Sequence, residues 1–308
     1  MDIQIVILQM GQLFLIMLLG YFIYKIKLVD NNFVGQFTKL ILNVTMPCMV
    51  LGSVLKLEER QALGDVLAAL FTAVILFFVV LPVIGWLISK LLFVKKKQEG
   101  LYVFMNTFPN VGFMGFPIIS ALCGTTGLFY AAIFNLIFNI SLYTLGVWLV
   151  SKDTNNGASF NLKQLCSSGV ILAIFALIVY FLNINLPSVI DEAVYSVGSI
   201  TSPSAMFLIG CSLAKMDIKR VFNDWRVYVW TLIKQLAIPL MLWVPLTYII
   251  KNELVLYVAY ILFSMPVANA AVLLATNYNG DTELAAKTVF ITTLFSLVSV
   301  PVCVLMVV

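Results

Sequence analysis

Apolar runs of about twenty residues follow one another along the whole of this chain of 308 residues. Runs of that length match the hydrocarbon thickness of a bilayer when wound as α-helix. A transmembrane barrel would instead show alternating segments of about ten residues. The sequence is 62% hydrophobic and only 10% charged, against about 25% charged for an ordinary soluble domain. The fold class is therefore all-α and polytopic. Ten spans are expected, at roughly 3–24, 33–55, 65–89, 99–123, 127–150, 163–183, 190–214, 226–250, 254–278 and 284–307. The run after Met1-Asp2 has Lys25 and Lys27 behind it and no basic residue ahead. It reads as a first span starting outside, not as a cleaved leader.

The second constraint is internal duplication. Pro82, Trp86 and Pro109 recur as Pro239, Trp243 and Pro266, each 157 residues on, and Met49 recurs as Met206. Pro47 and Pro203, and Gly124-x-Thr126-x-Leu128 and Gly280-x-Thr282-x-Leu284, keep an offset of 156. We read 1–150 as a first five-helix repeat, 151–163 as a cytoplasmic linker and 164–308 as a second repeat. Basic residues set the orientation. With the N-terminus outside, thirteen of them fall in inner loops (among them Lys90, Lys95, Lys96, Lys97 and Lys152) and three, Lys56, Arg60 and Lys251, in outer loops. That bias places both termini outside. Five spans per repeat is an odd number, so the second copy is inverted. Inverted repeats with interrupted helices at matching positions are a hallmark of secondary transporters, with the site at the breaks.

Span four carries Asn106, Pro109, Asn110, Gly112, Gly115 and Pro117 within twelve residues. Proline removes a backbone donor and clashes with the preceding turn, so a break is expected there. Span nine carries Pro266, Ala268 and Asn269, a weaker break signal with one proline and no adjacent glycine. A half-helix starting at membrane depth offers unpaired N–H groups and the positive end of a dipole. With the amides of Asn110 and Asn269 this suits a carboxylate. Candidate site residues are Pro109, Asn110, Val111, Gly112, Pro266, Ala268 and Asn269, supported by Asn43, Asn106, Lys234 and Gln235.

No charged residue occurs between Leu101 and Val150 or between Leu254 and Gly280, so acid-based cation chemistry in the broken helices is disfavoured. Lys39 shares a face with Asn43 and Pro47 and reads as snorkelling to the inner interface. Lys234 lies deeper, where snorkelling and a buried role are both open. Asn135 and Asn139 read as a helix–helix hydrogen-bonding pair. Five scattered cysteines, no CxxC spacing and no histidine suggest neither a metal site, nor a disulfide framework, nor a cofactor. An enzyme is disfavoured for the same reasons. The basic residues sit at helix ends, so the net charge of +4 does not argue for nucleic acid.

The segment Phe108-Pro109-Asn110 through Met114-Gly115-Phe116-Pro117 resembles the auxin efflux carrier family, which includes the plant PIN-FORMED exporters and bacterial relatives. Ala205-Met206-Phe207 with Gly210 and Leu213-Ala214, Lys234 before Pro239, and Met265-Pro266 with Ala275 and Tyr278-Asn279 support it. The resemblance implies a scaffold of spans 1, 2, 6 and 7, and a moving domain of spans 3–5 and 8–10. It implies an elevator mechanism in the plasma membrane, a homodimer through the scaffold, and carboxylate contact at Asn110. Plant members have a second proline in span nine where this chain has Ala271, and their long cytosolic loop is missing. The expected activity is secondary active or facilitative transport of small organic anions. A sodium- or proton-coupled cotransporter of related crossover architecture is the alternative, and a non-transporting receptor a remote one.

Overall fold

The computed structural model describes residues 3–57, 61–154, 168–182, 184, 186–215 and 225–306. Its secondary structure is helical, and the described residues form no named strand. The helices are α1 (Ile3–Lys25), α2 (Asn31–Leu55), α3 (Leu63–Leu91), α4 (Glu99–Thr107) and α5 (Val111–Lys152). After them come α6 (Ser168–Leu182), α7 (Ser188–Lys215), α8 (Trp225–Ile249), α9 (Glu253–Ser264), α10 (Ala270–Asn277) and α11 (Thr282–Leu305). Among the described residues seven helices are long and apolar enough to cross a membrane. Large side chains such as Leu15, Phe71, Leu87, Val244 and Val298 remain exposed on helix faces, the pattern of helices solvated by lipid. Most of the expected 151–163 linker lies outside the described residues.

The helix starts follow from local chemistry. Asp30, Asn252 and Asp281 accept the N–H groups of Phe33, Val255 and Leu284 at 2.8, 3.1 and 2.9 Å, as N-caps do. Asp153, at the far end of α5, takes the N–H groups of Gly100 and Leu101 at 2.9 and 2.8 Å and so caps α4 from another helix. Pro47, Pro82, Pro117 and Pro239 each stand two residues beyond a π turn, at 41–45, 76–80, 111–115 and 233–237. A proline inside a helix costs a hydrogen bond and collides with the carbonyl one turn back. Widening the preceding turn re-routes the ladder around it.

Between the spans expected at 99–123 and 127–150, Gly124 (φ 63°, ψ −158°) is non-helical and divides α5 into a first arm before it and a second arm after it. Only glycine takes that conformation without strain, so the chain bends there without a loop.

Packing falls into two groups. In the first, α1 lies along α7, and the second half of α2 packs against α6 and the start of α7. The α1–α7 approach is backbone to backbone. A Cβ on Gly210 would stand 1.9 Å from the carbonyl oxygen of Met17, and one on Gly20 would stand 2.1 Å from that of Phe207. Small residues at helix crossings serve this purpose in membranes. In the second group α3 packs on α4, α9 on α5, and α11 on α8 and α10. The two groups meet chiefly along α5, which touches α1, α2, α6 and α7.

Candidate functional site

Helix α4 stops at Thr107 and α9 stops at Ser264, and the chain runs extended for a few residues before α5 and α10 begin. These two interruptions cross. Pro109 and Val267 form an isolated antiparallel bridge. The Asn110 N–H donates to the Pro266 carbonyl at 2.7 Å, and the Ala268 N–H donates to the Phe108 carbonyl at 3.0 Å. Backbone freed from both helices is thus paired across the crossing, as a dry interior requires. The Val267 N–H is taken by the Thr292 hydroxyl at 3.2 Å.

Not all first-turn groups are consumed. The Asn110 side-chain oxygen accepts the Phe113 N–H at 3.2 Å, and the Val111 N–H turns back to the Pro109 carbonyl. The N–H groups of Gly112 and Ala270 have no acceptor among the described residues. Both residues line a cavity of about 420 Å³ beside the crossing. That volume suits a small organic molecule. Asn110, Val111, Ala268 and Asn269 form its wall on the crossing side. Opposite them stand Thr38, Asn43 and Met46 of α2 and Leu208 and Ser212 of α7. Asn135, Phe138, Asn139 and Tyr143 of α5 close the third side. Among the described residues no charged side chain lines the cavity. Its polar groups are amides and hydroxyls, and two helix N-termini abut it, each with the positive end of its dipole.

The residues singled out from the sequence divide into two sets. Asn43, Asn110, Val111, Gly112, Ala268 and Asn269 reach the cavity, while Pro109 and Pro266 form the crossing itself. Asn106, Lys234 and Gln235 lie behind it. The Asn106 amide donates to the Leu81 carbonyl at 2.8 Å, Gln235 donates to the Thr292 carbonyl at 3.0 Å, and the Lys234 ammonium donates to the Met265 carbonyl. Lys39 is exposed, whereas Lys234 is only 2% exposed.

Asn135 and Asn139 do not join helices to each other as expected. The Asn139 amide bonds the Asn135 carbonyl within α5 at 2.7 Å, and both residues reach the cavity. Together with Tyr143 they mark one face of α5 at intervals of four residues, a spacing that pointed to a shared surface. Thr38 and Ser212 were not anticipated at all.

A second cavity of about 450 Å³ is lined by Pro117, Ser120, Gly124 and Leu128 of α5. Gln9, Gln12, Ser53, Ser120, Tyr195 and Ser202 are among its lining residues.

Interrupted apolar helices that pair at mid-span, with exposed apolar faces around them, define a multi-pass α-helical membrane protein. The chain belongs to the membrane transport protein family, which it matches over residues 5–304. It is 24% identical over 304 residues to an uncharacterized transporter of Methanocaldococcus jannaschii, covering 96% of this chain and 95% of that one. It is 23% identical over 299 residues to the uncharacterized transporter YfdV of Escherichia coli strain K12, covering 93% and 92%. A third uncharacterized transporter, from Methanothermobacter thermautotrophicus, is 22% identical over 295 residues, covering 93% of each chain. The expected kinship with the auxin efflux carriers therefore stands at the level of the family.

Proposed function

We propose that this membrane transporter is a secondary carrier of small organic anions, and that the cargo binds in the cavity beside the crossing of α4–α5 with α9–α10. One observation carries the reading. The backbone donors of Gly112 and Ala270, at the starts of two half-helices, remain without acceptors on the wall of a cavity with an uncharged polar lining. Oriented N–H groups at helix starts are a ready anion site. The amide nitrogen of Asn110 adds a third donor, since its oxygen is already engaged by Phe113.

The inverted repeat belongs to the same proposal. The π turns 76–80 and 233–237 begin 157 residues apart, the offset of the matching prolines. The two cavities are related by the same offset: Thr38, Leu42, Met46 line the first and Tyr195, Ser199, Pro203 the second. With both termini outside, the first cavity faces the cytoplasm and the second the exterior. The α1–α2–α6–α7 group would be the scaffold and the α3–α5 and α8–α11 group the moving body. A homodimer through the scaffold is part of this reading. Movement of the body carries the crossing from one cavity to the other. Inside-negative voltage would favour outward movement of an anion by about 2.3 kcal/mol per charge per 100 mV.

Thermal denaturation of the purified protein against acetate, butyrate, benzoate, malonate and succinate, with the matching amides as neutral controls, tests it. A ligand at about 100 times its Kd adds about 2.7 kcal/mol of native stability. At least one acid should raise the transition while its amide does not. Equal response to acids and amides, or no response to any acid, would overturn the proposal.

A further inference from the structure

Lys234 is the one charged side chain that is buried among the described residues. Its ammonium donates to the Met265 carbonyl, and a single carbonyl dipole does not neutralise a unit charge. The groups around it do not supply the difference. From α11 comes the Cys303 thiol, which meets the Gln235 carbonyl at 3.3 Å. From α9 come Tyr260 and Ser264, the latter bonded to the Tyr260 carbonyl at 2.9 Å. All are uncharged in their ordinary states. The sequence has no acidic residue in 225–252, 254–280 or 284–308. A buried cation without a counter-ion is costly, and an anion bound from outside the chain would offset that cost.

The position of Lys234 says where that counter-ion sits. Met265 immediately precedes Pro266, whose carbonyl accepts the Asn110 N–H across the crossing. Lys234 therefore stands directly behind the crossing, and the cavity stands in front. Among the described residues the cavity lining has no charge of its own, and Lys234 is the one charged side chain buried beside the crossing.

We infer that Lys234 sets the charge of the cargo: the site takes acids carrying one net negative charge and discriminates against dianions of the same size. This rests on the cavity being the anion site. A monoanion in front of the crossing balances Lys234, and the loaded body is neutral overall. The second carboxylate of a dianion would lose water in a cavity with no second cation to receive it. Lys234 does not touch the cargo. It acts through the crossing, as a specificity-determining residue.

Equilibrium binding to the purified full-length protein at neutral pH tests this with two matched pairs, butyrate against succinate and benzoate against phthalate. The wild type should bind the monoanion of at least one pair about tenfold or more tightly than its dianion. Lys234→Gln should weaken the monoanion and shrink that ratio, and Lys234→Arg should restore it. A merely structural lysine would lower both affinities together and leave the ratio unchanged, which would refute the inference. A wild-type preference for succinate or phthalate would refute it too, even if Lys234→Gln gave no folded protein. Absence of binding by all four acids would instead sink the anion site itself, and the inference with it.

Discussion

Replacing Asn110 by aspartate should leave the fold standing and remove anion binding. Asn110 has two jobs that different substitutions separate. Its side-chain oxygen caps the start of α5 through the Phe113 N–H at 3.2 Å, and its amide nitrogen is a donor on the cavity wall. Asn110→Ala loses both. The missing cap costs about 1 kcal/mol of stability, and the missing donor to a charged ligand costs roughly 1.5–3 kcal/mol, about tenfold or more in Kd. Asn110→Asp keeps an oxygen for Phe113, and the helix N-terminus returns about 0.3–1 kcal/mol of the cost of placing a carboxylate at a residue only 5% exposed. The same charge repels an anion about 4 Å away by up to about 4 kcal/mol before solvent screening. The aspartate variant should therefore show no anion-induced stabilisation at any concentration, while the alanine variant, which loses the cap, still responds at higher concentration. Wild-type anion binding by Asn110→Asp would refute the assignment of cargo to this wall.

Gly210→Ala should sharply reduce folded protein, because its Cβ would meet the Met17 carbonyl oxygen at 1.9 Å, whereas Gly11→Ala, with nothing within 4 Å, should be tolerated; equal yields in detergent would contradict the close α1–α7 packing. Lys234→Met should slow transport more than Lys39→Met, since the first is buried and the second exposed; rates in the opposite order would show that the interfacial lysine is the functional one. Cysteines placed in the 151–163 linker should react with impermeant reagents only from the cytoplasmic side, and labelling from outside would reverse the topology.

Much of the site was legible because prolines and glycines punctuate apolar helices. Pro109, Gly112, Gly115 and Pro117 announce a break that no lipid-facing stretch would tolerate, and Asn110 follows from its place at that break. Pro266 alone was a weaker sign, yet α9 ends two residues before it, because the isolated bridge at Val267 needs extended backbone. What the pattern hid was direction. A lone asparagine or threonine each turn of an apolar helix is the same letter whether it meets a neighbouring helix or a cavity. Only the packing of α2, α5 and α7 decides that Thr38, Asn139 and Ser212 face open space. The π turns were hidden for a similar reason. They relieve a clash that the proline makes visible, but whether a helix kinks or widens depends on its neighbours.

In the proposed mechanism the two helix groups move past each other as cargo crosses. They touch where the rings of Phe129 of α5 and Tyr180 of α6 pack at a tilt of 38°, with centroids 4.8 Å apart, and where the Tyr180 hydroxyl donates to the Gln61 carbonyl at 2.8 Å. With the five native cysteines replaced, Phe129→Cys and Tyr180→Cys joined by a short reducible crosslinker should hold one state in proteoliposomes. Uptake of the anion identified by thermal shift should stop on crosslinking and recover on reduction, with each single-cysteine protein unaffected. Full transport by the crosslinked protein would contradict the movement and leave a fixed frame with a local gate.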